Sequence, residues 1–196
     1  MTLKLNSSSS GSVSFVAPAS TTAGADINLA LPVDGGTLDR LERPGNILQV
    51  VYGTTNTEVS NTNTTYVDTT LSASITPTSA SSKILVLINQ SYYTVGSNYA
   101  YNGLKVFRGA QAIYVPKEGG APGTVGSYDF GLSADGPSSI AKYDKANITL
   151  LDSPNTTSAT TYKTQGRAYG VSTVKYQIGG GGQGGFSTIT LMEVAA

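Results

Sequence analysis

From Ile47 to Val194 the apolar residues recur at every second position, in short runs bounded by Gly, Pro, Asn, Asp and Ser. No stretch sustains a 3.6-residue period. Period-2 runs between turn residues are the pattern of strands half-buried in a sheet. The runs are Ile47–Tyr52, Thr65–Val67, Leu71–Thr76, Lys83–Thr94, Leu104–Arg108, Ala112–Val115, Ala146–Asp152, Thr160–Tyr169, Val174–Ile178 and Ser187–Val194. Up to ten strands in 150 residues predict an all-β domain over 47–196, a β-sandwich or jelly roll.

Two runs break the one-faced rule. In "KILVLINQ", Ile84, Val86 and Ile88 point one way, and Leu85 and Leu87 the other. In "ANITLLDS", Ile148 and Leu150 oppose Leu151. A two-layer sandwich needs one apolar face per strand. The second face must be covered, and in a helix-free single domain the cover is another subunit. Either Leu85 or the pair Ile84 and Val86 is expected in that contact.

The first 36 residues form a separate unit, "LKLNSSSSGSVSFVAPASTTAGADINLALPVDGG" after the first two positions. They alternate at Leu3/Leu5, at Val13/Phe15 and at Ile27/Leu29/Leu31. A segment this short seldom supports its own core without disulfide, metal or partner chains. Cys and His are both absent. The leader is therefore expected to form short strands intertwined with copies of itself, with Val13, Phe15, Ile27, Leu29 and Leu31 in the contact. "TLDRLERPGN", 37–46, is the most charged stretch and ends in Pro-Gly. It reads as a linker and turn.

The same absences limit chemistry. Without His or Cys, the usual serine-triad, papain-like and zinc-hydrolase sites cannot be built. No cofactor or metal site is expected, and no calcium loop of the D-x-D-x-D-G kind occurs. Among the carboxylates Asp129, Asp135, Asp144 and Asp152, no spacing singles out a glycosidase pair, and all four read as solvated turn residues. With 12 basic and 12 acidic residues, the chain lacks the basic face of a general nucleic-acid binder. No apolar run approaches the roughly 20 residues of a membrane span, and no secretory leader opens the chain.

"QIGGGGQGGFST", Gln177 to Thr188, matches G-x-G-x-x-G from Gly179 and again from Gly180. Polyglycine matches trivially. A phosphate loop needs a helix after it, and here strand candidates lie on both sides. The run is expected to be an inter-strand loop that allows close backbone approach.

Four tyrosines, Tyr92, Tyr93, Tyr99 and Tyr101, crowd "SYYTVGSNYAYNG". On a loop they would suit recognition, with broad contact area, a polar handle and rings on which sugars stack. The Gly/Pro-rich stretch Tyr114 to Ser139 is a second candidate for a partner-facing surface.

Several stretches resemble bacteriophage tail-fibre and head-fibre virion proteins. The leader resembles their repeat-like N-terminal segments. "LERPGNILQVVYGTTNTEV", "TTLSASITPTSASSKILVLINQ", "LLDSPNTTSATTYKTQGRA" and "STITLMEVAA" follow in the order of a phage C-terminal β-domain. The resemblance covers most of the chain and is weakest over Ser91 to Lys145 and across the glycine run. It implies a trimeric jelly roll like those of tumour-necrosis-factor and complement heads, with no catalytic motif to transfer. The expectation is a non-enzymatic homotrimer in the virion. Its N-terminus would anchor it to other virion proteins, and its head would meet a host glycan or protein. Capsid decoration is the alternative role. A polysaccharide depolymerase is a third, which 150 residues without His leave little room to build.

Overall fold

The computed structural model describes residues 43–96, 101–115, 140–169, 172–178 and 185–196. These form ten strands and no helix: β1 (Ile47–Thr55), β2 (Val59–Asn61), β3 (Val67–Ile75), β4 (Lys83–Gly96), β5 (Tyr101–Arg108), β6 (Gln111–Tyr114), β7 (Ile140–Asp152), β8 (Thr160–Tyr169), β9 (Ser172–Tyr176) and β10 (Ser187–Val194). Every pairing is antiparallel. One sheet runs β1-β10-β4-β9-β2 with β7 on the other edge of β4, and the second runs β3-β8-β5-β6. The pairs are nested: β1 with β10, β3 with β8, β4 with β7, β5 with β6. The β2–β9 pair nests inside β1–β10 and shares its sheet, and the remaining pairs alternate between the two sheets. That wrapping is a jelly roll, and the expected all-β sandwich is what the domain forms.

Alternation decides what each strand buries. In β10, Ser187, Ile189, Leu191 and Glu193 point inward. In β4, Ile84, Val86 and Ile88 do so, and meet Leu71, Ile75, Leu104, Val106, Ile148 and Tyr162 in one cluster. Ile84 and Val86 are wholly buried inside the sandwich, so they are not available to a neighbouring subunit. Leu85 and Leu87 take the outward face.

Most strand boundaries shift by a few residues from the sequence reading, and three differences matter here. Residues 63–65 form bends, and Val67 opens β3, so Thr65–Val67 is no strand of its own. β2 has only three residues, too few for alternation to register. β7 starts six residues before Ala146, at Ile140. Its early part, "KYDKA", is solvent-facing at Tyr143, Asp144 and Lys145, which hides the apolar period.

Pro44-Gly45 makes the turn that its sequence predicts. Asn46 N donates to Arg43 O at 2.9 Å, and Gly45 has φ +91°, the geometry of a type II turn. The C-terminal end pairs here too, since Gly45 N donates to Ala195 O and Ala195 N to Asn46 O.

The glycine run does not close a hairpin. β9 and β10 both run antiparallel to β4 and lie along the same edge of it, β10 against Lys83–Asn89 and β9 against Tyr92–Gly96. They are one strand row with an excursion between them. Its base is closed by Gly185 N donating to Ile178 O at 3.0 Å. At Gly185 the expected close approach is real: a Cβ there would lie 2.5 Å from Ser91 Oγ. Residues 179–184 lie outside the described residues.

The registers also fix the two ends of the sandwich. Lys83, Asp152 and Val194 meet at one end, where Asn46 leads the chain in. Gly96, Ile140 and Ser172 meet at the other. The strand ends flanking 97–100, 116–139 and 170–171 therefore gather opposite the point of entry.

Candidate interaction surface

Following the registers across the outer face of the six-stranded sheet gives a row Val50, Met192, Leu85, Leu151, one residue from each of β1, β10, β4 and β7. All four are apolar, and Val50 and Leu151 are 57% and 55% exposed. The next row is Tyr52, Thr190, Leu87, Thr149, with Tyr52 61% exposed. A third row, Thr54, Thr188, Asn89, Asn147, is polar and carries an Asn89–Asn147 hydrogen bond of 2.6 Å. The apolar residues thus lie side by side across four strands at the end where the chain enters. Contiguous apolar surface of this kind marks an interaction site. Leu85, Leu87 and Leu151 were legible as second-face residues in their own strands. Val50, Tyr52 and Met192 join them only through cross-strand register, which local periodicity does not carry.

The far end of the same face is aromatic. Tyr143 of β7 and Tyr93 of β4 are register partners, and their rings sit 4.5 Å apart at a tilt of 39°. Tyr93 also pairs with Lys175 of β9, whose ammonium is 2.9 Å from Glu58 Oε1. That hydrogen bond and charge raise the Lys175 pKa. Tyr92 and Tyr93 stand within β4, in the expected run Lys83–Thr94, and not on a loop. Tyr92 faces inward and is only 6% exposed, so it is a core residue and no receptor contact. Burial, with the Asp144 charge behind it, pushes its phenol up to about 12. Tyr101 opens β5, and Tyr99 lies outside the described residues. Residues 116–139 of the Gly/Pro-rich stretch also lie outside them, as do Val13, Phe15, Ile27, Leu29 and Leu31 of the leader.

The outer face of the four-stranded sheet is the opposite case. Lys163 and Gln165 of β8 both bind Asp68 of β3, at 2.9 and 2.7 Å. Ser74 meets Thr161 at 2.7 Å. Lys105 lies 4.0 Å from the centre of the Tyr66 ring, and the Arg167 guanidinium 4.9 Å from the same centre. Across β3 and β8 this face is polar and internally paired, as a solvated sheet should be.

Two carboxylates are built into the sandwich. Asp152 receives Arg108 Nη1 on both oxygens, at 2.9 and 2.8 Å, and the Tyr162 hydroxyl at 2.7 Å. It is a paired strand residue, not the solvated turn residue that its sequence suggested. Asp144, eight residues earlier on β7, lies about 27 Å away along the strand. A glycosidase pair requires roughly 5–9.5 Å, so these two do not form one. Asp129 and Asp135 lie outside the described residues. Glu193 is wholly buried. It accepts from Gln49 Nε2 at 2.5 Å, and from the Thr78 amide and hydroxyl at 2.8 and 2.7 Å. Burial alone would raise its pKa. The Gln49 and Thr78 bonds prevail and hold it at about 2, with a weaker contribution from Ser82, whose Oγ falls short of hydrogen-bond geometry.

Comparison with protein-family models and with curated proteins gives no match for this chain.

Proposed function

We propose that this chain is a non-enzymatic bacteriophage virion surface protein, a homotrimeric fibre or spike. The carrying observation is the four-strand apolar row Val50–Met192–Leu85–Leu151 on the outer face of one sheet, beside a second sheet whose outer face is polar. Copies of the chain cover that row. Taking each large apolar side chain out of water contributes about 1.5–3 kcal/mol, and an obligate interface is built from such core-like contacts. The number three, the virion setting and the anchoring role of the leader rest on the resemblance to phage fibre proteins.

Host contact belongs at the end remote from Asn46. The strand ends that frame the stretch of weakest resemblance gather there, while the chain arrives from the leader at the other end. A head anchored through its N-terminus presents that remote end outward. In the decoration reading, the same trimer coats the capsid.

Light scattering of the purified protein at micromolar concentration tests the assembly. A mass of three chains is expected, and a monomer would overturn the reading. Locating the protein on intact particles separates a tail or head fibre from a capsid coat, and absence from particles sinks both.

A further inference from the structure

Thr69, Gln90, Thr164, Gln177 and Ser187 are polar and wholly buried in the middle of the sandwich. Their hydrogen bonds run in one direction. The Thr69 hydroxyl meets Thr164 Oγ1 at 2.5 Å, and the Thr164 hydroxyl donates to Gln90 Oε1 at 2.8 Å. Gln90 Nε2 donates to Ser187 Oγ at 2.9 Å, and Ser187 Oγ also accepts the Ser91 amide at 2.9 Å. With the Gln177 amide turned to satisfy its surroundings, its oxygen accepts from the Ser187 hydroxyl at 2.8 Å and from Gln90 Nε2. Its Nε2 then donates to the carbonyls of Thr57 and Thr69, both at 3.1 Å. The chain of donors closes on Thr69, where it began, and each of the five side chains is satisfied.

Each of these groups stands at a fault in the sheets. Thr57 lies in the gap between β1 and β2, and Gln177 and Ser187 flank the gap between β9 and β10. Thr69 lies in a bulge of β3: Asp68 pairs with Gln165 and Ser72 with Lys163, so three residues oppose the single Thr164. Two residues there hold left-handed backbone, Gln177 with φ 52° and the β-branched Thr70 with φ 65°. Both conformations are strained for a side chain of their kind. Gln177 needs it: continuing the β9 alternation would turn its side chain outward, and the left-handed turn brings the amide into the core.

We infer that this closed hydrogen-bond ring is a register lock, which fixes where the strand rows break and so sets the phase of β9 relative to β10. A slip of one residue would exchange the buried Val174 and Tyr176 for Thr173 and Lys175. It would also unseat Lys175 from Glu58 and Tyr93 on the outer face. Over β9 the apolar alternation resists such a slip, but the residues at the break itself are Gln, Ser and Gly, and their contacts do not distinguish the two phases there. A directional ring does, because a shifted register leaves buried donors unpaired. Stabilisation is not its role, since buried polar groups can be replaced by apolar ones of similar shape at little or no loss.

The test is the full chain carrying Thr69→Val, Gln90→Met and Thr164→Val together, read by hydrogen exchange and by urea unfolding. An unfolding midpoint no lower than wild type is expected. The Gly185 amide, bonded to Ile178 O, should lose protection at least tenfold, while the β4–β7 amides keep theirs. Wild-type protection at Gly185 would overturn the inference, and so would an even loss across both sheets. Should the triple variant fail to fold, Ser187→Ala decides by the same readout: loss confined to 177–178 and 185–187 supports the lock, and a uniform loss or none at all rejects it.

Discussion

The two sheets of this sandwich share a core but present opposite outer faces. On the four-stranded sheet, the outward residues of β3 and β8 pair with each other: Asp68 with Lys163 and Gln165, Ser74 with Thr161. On the six-stranded sheet, the outward residues of β1, β10, β4 and β7 form an apolar row and a tyrosine pair. Same fold, same chain and same alternation produce both. The difference lies only in which residue types fill the outward positions. Water suffices to explain the first face. The second is a poor face for water and a good one for another copy of itself.

The strongest way to break this contrast is a charge at the centre of each face. Leu85→Asp places a carboxylate in the apolar row, on the central strand β4. If copies cover the row, each site buries an unpaired charge at a cost on the order of several kcal/mol. Light scattering should report dissociated or aggregated protein. The matching change on the other sheet, Gln165→Glu on β8, should leave the mass untouched. Equal behaviour of the two variants would remove the distinction between the faces.

A charge inside the sandwich supplies the next largest effect. Glu193 has its pKa lowered from 4.5 to about 2 by bonds from Gln49 and Thr78, against the opposing effect of burial. A lowered carboxylate pKa adds stability that is fully present above the unfolded value and is lost as pH falls through the folded one. The shift corresponds to about 3 kcal/mol as an upper figure. Glu193→Gln should therefore lower the urea midpoint at pH 7. The gap between variant and wild type should narrow as pH falls from 4.5 toward 2. A gap that stays constant over that window would show that Glu193 acts by packing rather than by charge.

How far the sequence carried this contrast depends on range. Period-2 alternation is local, and it located most of the strands and the sandwich. It also marked Leu85, Leu87 and Leu151 as second-face residues, since both faces of their strands are apolar. Which set of β4 faces inward could not be read, because "KILVLINQ" is apolar on both sides. Pairing with β10 and packing against β3 and β8 decide it. Tyr143 was missed because the charged residues around it conceal the strand. Tyr92 was grouped with the recognition tyrosines because a run apolar on both faces does not show which of its residues the core takes. The polar ring in the core is the least legible feature. Its members come from five separate segments, and each alone looks like an ordinary strand or turn residue.

Gly185 packs against Ser91 where β10 begins, and a smaller perturbation probes that seat. Gly185→Ala would put Cβ 2.5 Å from Ser91 Oγ and 3.3 Å from Ser91 Cβ. The hydroxyl can rotate away, so the cost should be about 1 kcal/mol, at the low end for overpacking. Adding Ser91→Ala should restore most of it. Chemical denaturation of the single and double variants checks the coupling, and simple additivity would mean that the two side chains do not meet.

The smallest effect expected is on the polar face itself. Lys163 holds Asp68 at 2.9 Å, and their side chains are 30% and 54% exposed. Desolvation alone would raise the Asp68 pKa, and the Lys163 and Gln165 bonds together lower it. Water and salt nevertheless compete for both partners at that exposure. Exposed ion pairs contribute roughly 0–1 kcal/mol, and the contribution shrinks with ionic strength. Lys163→Ala should shift the unfolding free energy by less than about 1 kcal/mol, with a smaller shift still at 1 M salt, and should leave the oligomer mass unchanged. A shift as large as that of Leu85→Asp, or a change in mass, would mean that the four-stranded sheet also meets a partner, and the two faces would no longer differ in kind.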